Sequence, residues 1–275
     1  MPDEPELCCC FDASRYTGVP DTSHIDNPLP VPEIIAGLDS LNNSGREAEG
    51  VAYLERWLTE AVSRGDWRAE LSLRNELLGQ YRRSGDAGKG IQTVNAVLAL
   101  LKEHHLGSTV SGATILLNAA TTMKCFGRAE ESFPLFRHAS RVYADHLDPH
   151  DYRFAGLYNN MALSYADAGD YSAAETHYSL ASAVLEHCSG TENDQAVTWC
   201  NLAELYDRQN PEDLRIEACV ERAWALLNAP ELKRDGYHAF TISKCAPTFD
   251  RLGFFLYASE LQQRAEKIYQ ENRKP

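Results

Sequence analysis

The chain has 275 residues, with 40 acidic against 26 basic side chains and a net charge of −14. That field repels nucleic acid, whose affinity rests on phosphate neutralisation, and no apolar run approaches the roughly 18 residues that cross a bilayer. The eight cysteines show no disulfide framework and fit reduced thiols, so a soluble, cytoplasmic protein is expected, with no nucleic-acid or membrane partner.

Residues 1–32 carry six prolines and no helical stripe, and read as an extended or disordered N-terminal strap. They open on acidic residues and lack the apolar core of a secretory signal. Pro2 excludes myristoylation. Cys8, Cys9 and Cys10 form a run with no accompanying CxxC pair, and are read as thiols on a tail rather than as metal ligands. Pro28, Pro30 and Pro32 favour an extended conformation, which would let the strap fold back into a groove of the domain that follows.

From residue 33 the pattern becomes helical. Hairpin one runs from about Glu33 to Arg64: Ile34, Leu38 and Leu41 stripe its first helix, Gly45 turns it, and Gly50, Leu54, Trp57 and Ala61 stripe the second. Hairpin two covers Trp67 to His105 with a turn at Gly85, and hairpin three covers Ser108 to Leu147 with a turn at Gly127. Hairpin four, Tyr152 to Cys188, is the most legible. Leu157, Met161, Ala162 and Tyr165 mark one helix face. Gly169 stops that helix, Asp170 caps the next, and Ala174, Tyr178, Ala181 and Leu185 form a small–large stripe. Hairpin five starts near Asp194 and turns at Asn210-Pro211, with Pro211 expected in the first turn of its second helix. The register of that helix is displaced by an insertion. Hairpin six runs from Arg234 to Asn272 and turns near Gly253; Pro247 is expected to bend its first helix or delay its start. Gln262 replaces an aromatic residue, as suits a terminal helix with a wetted face.

These hairpins keep step with one another. Gly85, Gly127 and Gly169 are each 42 residues apart. Tyr165 corresponds to Tyr81, Met123, Tyr206 and Phe249, and Ala162 to Leu78, Ala120, Ala203 and Ala246. Ala174 corresponds to Ser132 and Gly90, Tyr178 to Phe136 and Val94, and Asn160 to Asn118 and Asn201. Agreement across so many position classes identifies a repeat.

The residues Tyr158, Asn160-Met161-Ala162, Tyr165, Gly169-Asp170-Tyr171 and Ala174–Tyr178–Ala181 resemble the tetratricopeptide repeat (TPR) motif position for position. The common repeat is about 34 residues long; the longer period here resembles kinesin-light-chain-like and bacterial regulatory TPR scaffolds. The resemblance implies an all-α, right-handed α-solenoid of about six stacked antiparallel hairpins. It would occupy residues 33–275 as one quasi-linear domain with a single continuous core.

Neither GxGxxG, GxxxxGK, HExxH nor GxSxG occurs, so no catalysis and no cofactor are expected. The Asp145–Asp151 run and His104-His105 are read as loop and helix-end composition rather than metal ligands.

In stacked hairpins the first helix of each pair lines the concave side, and in the TPR family ligand contacts come from that helix. Carried onto this chain, the groove would present Asn75, Arg82 and Arg83, then Asn118, Thr121 and Lys124. Asn159, Asn160 and Asp167 follow, and then Asn201, Glu204 and Arg208. Asparagine suits a peptide groove because its amide both donates to and accepts from a backbone. Arg82, Arg83 and Lys124 would form a basic patch for an acidic ligand segment. Asn118, Asn160 and Asn201 are assigned to bonds between repeats, and Asn75, Asn159, Arg82 and Arg83 to the ligand. The family's chaperone-tail clamp does not fit, because Leu117, Thr121 and Val197 stand where it needs Lys or Asn. The expected function is a non-catalytic scaffold holding a protein or peptide segment in the groove. The alternatives are a bacterial signalling-peptide sensor without its own DNA-binding domain, and an enzyme using Asp167 or Glu204.

Overall fold

In the computed structural model, which describes Tyr16 and residues 18–272, every regular element is a helix. Twelve are described: α1 (Val31–Asn43), α2 (Glu47–Arg64), α3 (Trp67–Ser84), α4 (Ala87–Glu103), α5 (Val110–Cys125), α6 (Ala129–His146), α7 (Arg153–Asp167), α8 (Tyr171–His187), α9 (Glu192–Gln209), α10 (Arg215–Leu227), α11 (Gly236–Arg251) and α12 (Phe255–Asn272). They form the six expected hairpins, and within each of the two units described below consecutive pairs pack as in a solenoid. The chain divides into two compact units, one of Met1–Leu41 and Arg46–Asp148, the other of Asn42–Gly45 and Pro149–Pro275. The Cys8–Cys10 run lies outside the described residues.

Local chemistry sets the helix ends. Gly85 and Gly169 take φ of 73° and 82° at their turns, a region that a side chain with a Cβ enters only at a cost. The residue after each is an aspartate that opens the next helix. Asp86 accepts from the Lys89 N–H and Asp170 from the Ala173 N–H, which satisfies donors that the helix itself leaves unpaired. Asp66, Thr109 and Asp235 cap α3, α5 and α11 in the same way.

In the first unit, one core cluster joins Leu29, Ile34, Leu38, Leu54 and Ala61 to Leu73, Leu77 and Tyr81. Further along, Val94, Phe136, Ala139 and Tyr143 are buried. Gly90 is buried too, and a Cβ there would run into the Phe126 ring at the end of α5. In the second unit, Ala174, Tyr178, Ala203, Tyr206, Ala246 and Phe249 belong to one cluster. The repeat's small and large positions are therefore its contact positions, as close helix packing requires.

One proline expectation is corrected, and one of the two alternatives for the other falls away. Pro211 lies in the turn, and α10 starts only at Arg215. A residue before proline is pushed out of the helical region, so Asn210 is extended (φ −157°, ψ 108°) and ends α9. Pro247 does not delay α11, which runs through it; Ile242, Ala246 and Phe249 hold that helix in the core. Gln262 is exposed, on the outer side of α12.

Within the first unit, residues 18–30 are non-helical and lie against the start of α3 and the end of α4. The Asp21 N–H donates to the His104 carbonyl at 3.1 Å, and the Asp21 carboxylate meets His104 Nδ1 at 2.7 Å. Arg68 donates to the carbonyls of Ser23 and Asp21, and the Leu29 N–H donates to Asp66. The Trp67 indole stacks on His104 at 3.8 Å and lies under the Arg68 guanidinium at 4.5 Å. Arg82 is at the opposite end of α3, about 21 Å from Arg68 along the axis at about 1.5 Å per residue. This part of the strap thus docks at the hairpin ends, away from the first-helix positions chosen as ligand contacts.

Candidate functional site

The first helices are tied to one another by polar side chains. In the first unit, Asn118 Nδ2 on α5 donates to Asn75 Oδ1 on α3 at 2.8 Å. Arg82 donates to the Asn118 carbonyl at 3.2 Å and to Thr122 Oγ1 at 2.8 Å. Asn75 and Arg82, assigned from sequence to the ligand, are therefore engaged in bridges between repeats. Burial of the Arg82 guanidinium pushes its pKa below the usual arginine value. Thr121 turns its hydroxyl to the Leu117 carbonyl of its own helix. Arg83 is exposed and Lys124 half-buried. Arg83 also lines a cavity of about 500 Å³ with Ala48, Val51, Gln80, Tyr81, Ser84 and Asp86. Glu76, which sequence reasoning passed over, is beside Asn75 on this face. Burial, and then the Asp39 charge, pushes its carboxyl above the usual range.

The second unit repeats the device. Asn159 Nδ2 on α7 donates to Thr198 Oγ1 on α9 at 2.9 Å, and Arg208 pairs with Asp167 at 3.0 Å. That pairing raises the Arg208 pKa. Glu204 accepts from the Thr248 hydroxyl and pairs with Arg251 on α11, which also reaches Asp207 at 3.4 Å. At the other end of these helices, Tyr237 donates to Asp194 at 2.7 Å, and His238 meets Asn193 at 2.9 Å. Each bridge joins residues 39 to 47 positions apart, about one repeat length. Asn160 bonds the Gly156 carbonyl of its own helix, not a neighbouring repeat.

Asn159 and Asn201 keep unused hydrogen-bonding capacity. Asn159 Oδ1 is buried without a partner. Asn201, on α9, is half-buried and makes no hydrogen bond among the described residues. Among the described residues no three His, Cys, Asp or Glu side chains converge as a metal site, and no helix is long and apolar enough to cross a membrane. His146, in the Asp145–Asp151 run, bonds the Val142 carbonyl, and Asp151 pairs with Arg153.

No family model matches the chain, and no curated protein matches it. Among solved structures it is similar to a variant form of a Podosopora anserina protein described by its kinesin light chain character and nearly identical TPR-like repeats. That similarity is 18% identity at a TM-score of 0.57, over 74% of this chain and 97% of that one. Another crystal structure from Podosopora anserina with the same description gives 14% identity and a TM-score of 0.49, over 74% and 96%. BtubC (BKLC) from P. vanneervenii gives 18% and 0.49, over 90% and 94%. At 18% identity and a TM-score of 0.57, the first of these likenesses concerns fold and not activity: this chain is built of TPR-like repeats.

Proposed function

We propose that the protein is a non-catalytic protein-interaction scaffold that holds a partner segment along the exposed surface of its first helices. The bridges formed by Asn75, Arg82, Asn118, Asp167, Glu204 and Arg208 set the spacing of neighbouring helices. Contacts to the ligand come from Asn201 and the Asn159 side-chain amide oxygen, both in the second unit. The observation that carries this reading is the pair Asn159 and Asn201. A buried amide oxygen without a donor is costly, and a peptide N–H beside it would relieve that cost.

The test is selection of a displayed peptide library on the wild-type protein, followed by calorimetry of selected peptides on Asn159→Ala/Asn201→Ala. Loss of binding by a variant with unchanged circular dichroism is expected. Equal binding by both forms would move the site off the first helices.

A further inference from the structure

Two positions recur across α7, α9 and α11 at the repeat spacing. Tyr152, Asp194 and Tyr237 hold the first, and Asn159, Asn201 and Lys244 hold the second, seven residues further along each helix. Seven residues are close to two turns, so each pair shares a helix face about 10 Å apart. Hydrogen bonds join the two sets. Asn159 donates to Thr198 Oγ1 at 2.9 Å, and that hydroxyl donates to the Asp194 carbonyl at 3.0 Å.

In the first set three side chains meet. The Tyr237 hydroxyl donates to the Asp194 carboxylate at 2.7 Å, and the Tyr152 hydroxyl bonds to that carboxylate and to the Tyr237 phenol. Burial of the phenols, and then the Asp194 charge, holds both above the usual tyrosine range, so they stay neutral. The side chains remain 47% and 48% exposed. Two neutral phenols occupy the carboxylate without compensating its charge. Other bridging carboxylates on these helices are compensated: Asp167 holds Arg208, and Glu204 and Asp207 hold Arg251. Asp194 has no ion pair among the described residues. Of the remaining cations near these helices, Arg153 pairs with Asp151, Lys244 lies over the Phe240 ring at 5.4 Å, and exposed Arg234 makes no ion pair among the described residues.

We infer that this triad seats a Lys or Arg side chain of the partner segment, its cation on the Asp194 carboxylate beside the Tyr152 and Tyr237 rings. The carboxylate supplies the charge, and exposed phenol rings add cation–π attraction for an ammonium or guanidinium. The inference rests on the first-helix reading and adds an anchor side chain to the amide contacts of Asn159 and Asn201.

The probe is a randomised displayed peptide library selected on the full-length protein, with the selected peptides then measured by calorimetry. One Lys or Arg position should be enriched. Replacing it with its neutral counterpart, norleucine or citrulline, should weaken binding to wild type at least about tenfold. The same exchange should have no effect on Asp194→Asn with unchanged circular dichroism, and its full effect on Asp250→Asn, which removes an equal charge elsewhere on the unit. An equal loss on wild type and Asp194→Asn would overturn the inference. So would peptides that need Asn159 and Asn201 yet carry no enriched Lys or Arg, and the first-helix reading would then stand alone. Peptides that keep the Asp194 dependence but ignore Asn159→Ala/Asn201→Ala would retain the seat and overturn the amide contacts instead.

Discussion

Gly90 and Gly88 lie on the same helix, two residues apart, and differ in what a methyl group would meet. At Gly88 the nearest atom to an added Cβ is an Asp86 carboxylate oxygen at 3.7 Å, an ordinary contact on an exposed face. At Gly90 the Cβ would overlap the edge of the Phe126 ring, with Cδ2 at 3.1 Å and Cζ at 3.2 Å. Both substitutions to alanine gain the same helix propensity, about 0.5–1 kcal/mol. Only Gly90→Ala incurs overpacking, about 1–3 kcal/mol. Gly88→Ala should therefore raise stability by about 0.5–1 kcal/mol, while Gly90→Ala should lie about 1–3 kcal/mol below it. Urea unfolding measures both as shifts of midpoint at constant slope. Phe126→Leu in the Gly90→Ala background should recover part of the loss, because the two residues touch. Equal stabilisation by Gly88→Ala and Gly90→Ala would refute the assignment of Gly90 as a packing residue.

The bridge assignment predicts that Arg82→Ala destabilises by about 1–3 kcal/mol, since it removes the two charge-assisted bonds from α3 to the Asn118 carbonyl and the Thr122 hydroxyl on α5. Arg83→Ala, on the exposed side, should stay within about 0.5 kcal/mol; thermal melts that rank them the other way would contradict the geometry. Burial, reinforced by the positive Arg264 and Arg234, pushes His238 down from the ordinary 6.5 to about 4. The unfolded chain therefore binds its proton first, so this contribution to stability is complete above pH 6.5 and is lost as pH falls toward 4. His238→Gln should flatten the stability profile across that window, and parallel profiles for the two proteins would show that the group is not buried neutral.

Turns and stripes were legible in the sequence because they are local. A glycine, an aspartate and apolar residues at helical spacing act within one hairpin, so the predicted hairpin limits and α1–α12 agree closely. Pro211 was misplaced because the first turn of a helix and a turn before it tolerate proline equally well. The binding residues were harder to read. Whether Arg82 faces a ligand or the Asn118 carbonyl depends on a rotamer between repeats, and nothing in the sequence at residue 82 records it. The motif asparagines diverge for the same reason: Asn118 bridges to Asn75, Asn160 bonds its own helix, and Asn201 bonds nothing described. The strap's seat was illegible because its main contact, Asp21 with His104, spans 83 positions.

Trp67 is enclosed between the His104 imidazole and the Arg68 guanidinium. Both are pinned by the strap, His104 by the Asp21 carboxylate and Arg68 by two strap carbonyls. If residues 18–30 lift away, both neighbours lose their anchor and the indole gains water on its faces. Its emission is thereby coupled to docking of a segment distant in the sequence, which makes Trp67 a label-free optical gauge of whether the strap is seated.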